Sequence, residues 1–156
     1  MWQRIQTVFL ALVVAAMLVS IFLPIWVFQD PVSGVKHELY PLHYTVKNEG
    51  NPTTLYFPYC ITAILMIAAA TVAVMEIRRF DNRITQIKMG TLNSLLLMGV
   101  MIAAVVFSNQ LASQFNYGWK YGLTIWTSFA GVFFNWLALR FIRRDEKLVR
   151  DSDRLR

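Results

Sequence analysis

Four apolar stretches, at about 7–28, 55–75, 91–108 and 121–142, alternate with polar segments along the 156 residues. A hydrocarbon core of about 30 Å takes about 20 residues at the helical rise of about 1.5 Å, so each stretch reads as a transmembrane helix. The pattern predicts an all-α membrane protein. It is a four-transmembrane-helix bundle in a single domain over 1–156, with an outer loop at 29–54, a second loop at 76–90 and a helical, charged C-terminal tail at 143–156. No polar segment is long enough to fold as a separate soluble domain.

The first stretch, Val8 to Phe28, is broken mainly by Ser20 and Pro24. It is longer than a signal-peptide core and no small-x-small site follows it, so it reads as a retained helix. Pro24 would loosen its last turn, with Trp26 at headgroup depth and Trp2 marking the opposite interface. The third stretch is the weakest: Thr91, Asn93 and Ser94 open it and Ser108, Asn109 and Gln110 close it. Its polar ends must meet interfaces or neighbouring helices. Small residues four apart (Ala11 and Ala15, Ala69 and Ala73, Gly99 and Ala103, Thr127 and Gly131) allow close helix packing.

In the outer loop, Pro31, Gly34, Pro41, Gly50 and Pro52 mark turns. The partial alternation from Val35 to Val46 leaves room for a short strand or hairpin, which Pro41 confines to an edge or splits in two. Phe115, Tyr117, Trp119, Tyr121 and Trp126 read as an interfacial aromatic belt.

Composition agrees with the pattern: 56% of residues are apolar and the mean hydropathy is +0.46, above an ordinary soluble domain. Charge adds orientation. Twelve Lys and Arg lie at the N-terminus, in 76–90 and after Leu139, against three (Lys36, Lys47, Lys120) in the other loops. By the positive-inside rule both termini and the 76–90 loop are cytoplasmic, in a multi-pass protein of the bacterial inner membrane. The net charge of +6 follows from this asymmetry, and no nucleic-acid partner is expected.

Little chemistry is visible. Glu76 and Arg78 read as reaching headgroups, leaving neutral polar groups inside the spans: Thr62, Thr71, Asn93, Thr124, Ser128 and Asn135. Asn135 reads as an interhelical hydrogen bond ahead of a transport role. His37, Glu38 and His43 lack metal-site spacing and read as solvated loop residues, and the single cysteine, Cys60, as a packing residue. Neither a catalytic set nor a cofactor or metal motif is expected. In the tail, Glu146 with Arg150 and Asp151 with Arg154 have ion-pair spacing, and Ile142, Val149 and Leu148, Leu155 repeat at seven.

Three stretches carry a resemblance: Met1, Gln3 to Thr7; Gln86 to Lys88 with Leu92 and Asn93; and, most specifically, Ile142 to Arg156. In these the chain resembles a Bacteroidota family of small four-helix inner-membrane proteins classed as a domain of unknown function. Trp2 and Asp151 stand where aliphatic and smaller residues are usual. The resemblance implies four spans and no established activity.

All three stretches lie on the predicted cytoplasmic side. The expected function is therefore a non-catalytic accessory or scaffold subunit. Its contacts with anionic lipid, or with another inner-membrane or cytoplasmic protein, would run through Arg4, Arg83, Lys88, Arg143, Arg144, Arg150 and Arg154. The alternative is a small transporter or channel for a lipid or apolar solute.

Overall fold

The computed structural model describes residues 2–48, 52–79, 82–115 and 120–154. Four helices, α1 (Trp2–Ser20), α2 (Cys60–Arg78), α3 (Arg83–Ala112) and α4 (Leu123–Arg154), pack in a closed ring in which α1 touches α2 and α4, and α3 touches the same two. The chain runs up and down through them. At one end the short strand or hairpin expected of the outer loop is part of something larger, a five-stranded antiparallel sheet of order β4-β3-β2-β1-β5. Its strands are β1 (Trp26–Gln29), β2 (Lys36–Leu39), β3 (Tyr44–Lys47), β4 (Thr53–Leu55) and β5 (Lys120–Tyr121). The expectation of an all-α protein is corrected accordingly.

The sheet starts inside the first apolar stretch. Helix α1 stops at Ser20, and Trp26 to Phe28 form a strand whose outer two residues are buried. Hydropathy could not separate the two, because a short apolar run suits a buried strand as well as the end of a helix. Trp26 is consequently 0% exposed instead of lying at an interface. Pro41 splits the Val35 to Val46 run as foreseen, with β2 before it and β3 after it, joined by a Tyr40 N–H to His43 carbonyl bond of 2.8 Å. The turn between β1 and β2 is closed by Asp30, which accepts from the Val32 N–H at 2.9 Å, and by Gly34 at φ 70°, where a side chain would be strained.

Sheet and bundle are tied where α1 ends and α4 begins. The Gly122 N–H donates to the Ile25 carbonyl at 2.8 Å, and a Cβ on Gly122 would stand 2.0 Å from the Pro24 carbonyl oxygen. Thr124 Oγ1 donates to the Leu23 carbonyl at 2.5 Å, and the Ser20 and Thr127 hydroxyls pair at 2.6 Å. Thr124 Oγ1 also reaches the Ser20 carbonyl at 3.2 Å, one of those left open at the end of α1.

Two apolar cores result. One, under the sheet, gathers Ile25, Trp26, Phe28, Leu39, Tyr44 and Leu111, with the Phe115 ring 4.3 Å from that of Phe28. Phe115 thus belongs to the core and not to an exposed belt, whereas Trp126 is exposed; Tyr117 and Trp119 lie outside the described residues. The other core fills the bundle with Val13, Met17, Met66, Ala69, Ala73, Leu97 and Val100. Of the small-residue pairs, Ala69 and Ala73 are buried there and Gly131 meets Met17. Ala11 and Ala15 face outward.

The outward faces are apolar as well. Val8, Ile64, Leu95, Ile102 and Phe129 are each more than half exposed, the arrangement of helices whose surroundings are hydrocarbon. Among the described residues, three helices are long and apolar enough to cross a membrane: α2, α3 and the Leu123–Asp151 part of α4. The apolar part of α1, Ile5–Ser20, is shorter. The loop expected over 76–90 shrinks to a tight turn, since α3 already starts at Arg83. Asn82 caps it by accepting from the Thr85 N–H at 3.0 Å, a signal that the polar residues Arg83, Thr85, Gln86 and Lys88 concealed.

Candidate functional site at the charged end of the bundle

At the end opposite the sheet, three helices converge on one carboxylate. Asp145, on α4, accepts from the Gln6 amide of α1 at 3.1 Å and pairs with Arg83, the first residue of α3, at 3.4 Å. This clasp joins the first and last stretches of the resemblance, through Gln6 and Asp145, and ties both to Arg83, which precedes the middle stretch; sequence reasoning did not single out Asp145. Lys88, Arg143, Arg144 and Arg150 are exposed around it. The side chains of Arg4 and Arg154 lie outside the described residues. Beyond the clasp, α4 continues with residues 147–151 exposed on every side. Helix α4 has 32 residues, about 48 Å at the helical rise, about 18 Å longer than a hydrocarbon core of about 30 Å.

Above the clasp, inside the bundle, is a polar junction. Asn135 of α4 donates to the Gly90 carbonyl at 3.1 Å and to Ser94 Oγ at 2.8 Å. It also accepts from the Asn93 amide at 3.1 Å. Asn135 is therefore a bonded hub between α3 and α4, the interhelical role expected of it. Glu76 reverses its expectation. It is 0% exposed, turned into the bundle instead of towards headgroups, and neither carboxylate oxygen has a hydrogen-bond partner among the described residues. The Gln86 amide reaches the Glu76 backbone carbonyl at 3.1 Å, not its carboxylate. A Cβ on Gly90 would stand 2.7 Å from Glu76 Oε1 and 2.6 Å from Leu139 Cδ2, so the absence of a side chain there admits both neighbours. A periodic signal existed: Ala69, Ala73 and Glu76 share one helix face, as do Gln86, Gly90 and Asn93. A lone Glu near a helix end reads more readily as snorkelling outward.

The outer-loop trio is not solvated as expected: Glu38 is buried, His37 is half-buried, and His43 is half-buried against the Tyr40 and Tyr56 rings. His37 Nδ1 lies 2.6 Å from the Tyr44 hydroxyl, and its ring packs against Phe28 and Phe115. Burial pushes the His37 imidazole below its ordinary value, against a weaker pull from Asp30, and pushes the Tyr44 phenol up to about 12. Glu38 is bracketed by Lys36 at 2.5 Å and Lys47 at 2.7 Å. Burial raises its carboxyl, but the two lysines together outweigh that and hold it below the usual carboxylate range.

The fold and this site define a four-helix protein with an antiparallel sheet at one end, a charged helical extension at the other, and three helices fit to cross a membrane. The chain belongs to the family described as Domain of unknown function (DUF4293), whose model matches residues 2–155. No match was found among curated proteins.

Proposed function

We propose that this is a four-span protein of the bacterial inner membrane and a non-catalytic accessory or scaffold subunit that docks a partner through its cytoplasmic, charged end. The sheet faces the other side. The observation that carries this reading is the projection of α4 past the Asp145 clasp. Its basic residues Lys147 and Arg150 are exposed on a helix whose base is fixed to α1 and α3, a rigid arm suited to an acidic protein surface or anionic lipid. The α1 helix serves as the fourth span, with Trp2 to Ile5 completing its length.

A conduit through the bundle is less well supported. The polar junction at Asn135 and the buried hydroxyls of Thr62, Ser108 and Ser128 are separated by a layer of Val13, Met17, Met66, Ala69, Leu97 and Val100, each at most 1% exposed. Asn135 itself is consumed by helix contacts.

The test is gentle solubilisation of the tagged protein at natural abundance, with mass spectrometry of what co-purifies, for the native chain and for Arg150→Glu with Arg154→Glu. A stoichiometric partner retained by the native chain and lost from the charge-reversed one, with both equally folded, is the expected result. Recovery of the native chain without a protein partner, together with solute flux in vesicles, would overturn it.

A further inference from the structure

The clasp accounts for the charged end, but it leaves Glu76 unexplained. Its two oxygens and Asn93 Oδ1 are three buried acceptors with no donor against them among the described residues, and all lie beside Gly90 or one turn from it. Glu76 is also deep. Leu139, which meets Gly90 from α4, is sixteen residues from Leu123, about 24 Å along the helix and so within a hydrocarbon core of about 30 Å.

A carboxylate placed there needs a positive charge, and among the described residues no neighbouring element brings one to it. The described part of α1 from Ile5 to Ser20 has no ionisable residue. On α2 and just after it, Arg78 and Arg79 are exposed. On α3, Arg83 is paired with Asp145 and Lys88 is exposed. On α4, Arg140 lies over the Trp136 ring at 5.5 Å, while Arg143 and Arg144 are exposed.

We infer that Glu76 and Asn93 form an intramembrane site for one small monovalent cation, a proton or sodium, at the junction of α2, α3 and α4. The donors are all oxygen and carry one formal negative charge, which a single positive charge neutralises. A divalent ion would leave excess charge in a low-dielectric interior, and would call for more carboxylates. A proton would give the carboxyl an O–H able to donate to an open acceptor; sodium would draw on the same oxygens. This inference is independent of partner docking, since it concerns the interior and is read on the isolated protein.

The native chain in lipid nanodiscs is treated with dicyclohexylcarbodiimide, an apolar reagent that modifies protonated carboxyls, at neutral and mildly acidic pH. The salt is either choline chloride or sodium chloride, and the adduct is located by peptide mass spectrometry. Infrared difference spectra of native chain against Glu76→Gln assign the carboxyl band. An adduct on Glu76 that is indifferent to sodium supports a proton site. An adduct that falls about tenfold when sodium is about ten times its dissociation constant supports a site shared with sodium. Without an adduct, a Glu76 carboxylate band that shifts on adding sodium supports a sodium site. No adduct at either pH, with an ionised Glu76 band unmoved by sodium, overturns the inference. The labelling uses the native chain and so stands even if Glu76→Gln does not fold.

Discussion

At Gly122 an added Cβ would stand 2.0 Å from a backbone oxygen, whereas at Gly99 the nearest neighbour, Leu65 Cδ1, is 3.6 Å away. The first contact cannot relax without moving the junction of sheet and bundle; the second is ordinary packing. Gly122→Ala should therefore cost about 1–3 kcal/mol and Gly99→Ala almost nothing, read as thermal unfolding in detergent. Equal midpoints would contradict the close approach at Gly122. Asn135 offers a second residue-scale test. Replacing it with Leu removes its bonds to Gly90, Ser94 and Asn93 and leaves the Asn93 amide without its acceptor. A loss of about 1–2 kcal/mol is expected for interhelical bonds in lipid, measured by denaturant titration in bicelles. An unchanged stability would mean that the junction does not hold α3 to α4. Asn135 was legible from the sequence as a helix contact because a neutral amide in an apolar run has few other uses. Glu76 was not, because composition does not say which way a terminal Glu turns.

Among the elements, the sheet has its own pH dependence. The folded state holds the Glu38 carboxyl low and the His37 imidazole low. For both, the unfolded chain binds protons more readily, so stability rises with pH through their windows and is lost as pH falls through the folded values. Amide exchange in β2 and β3 should accelerate in acid, first as His37 charges and further as Glu38 protonates, while α2 and α3 stay protected. Uniform loss across sheet and helices would contradict a separate weakness in the sheet. The clasp predicts a further local effect. Asp145→Ala should cost about 1 kcal/mol or less, as a partly exposed pair, and raise exchange at the first turns of α1 and α3 without disturbing the sheet. Helix positions were largely readable from the apolar stretches, but their ends were not. Trp26 to Phe28 looks like the end of a helix until Pro24 and the pairing with Leu39 and His37 make it a strand, and Lys120 and Tyr121 reveal nothing locally of their pairing with β1. The pairing of β1 with β5 joins residues about 95 positions apart, beyond what a local pattern contains.

For the molecule as a whole, the distribution of charge and the two unlike ends of the bundle give one picture: a sheet with its own core on one side, and a basic helical arm braced by Asp145 on the other. The central claim is that a membrane separates them. Single cysteines at the two ends test it directly, introduced as Val32→Cys in the β1–β2 turn and Lys147→Cys in the arm, with Cys60→Ala removing the native thiol. Both positions are exposed, and a membrane-impermeant maleimide is applied to right-side-out vesicles before and after lysis. Labelling at position 32 before lysis and at position 147 only afterwards is the predicted result; labelling of both positions from the same side would contradict it.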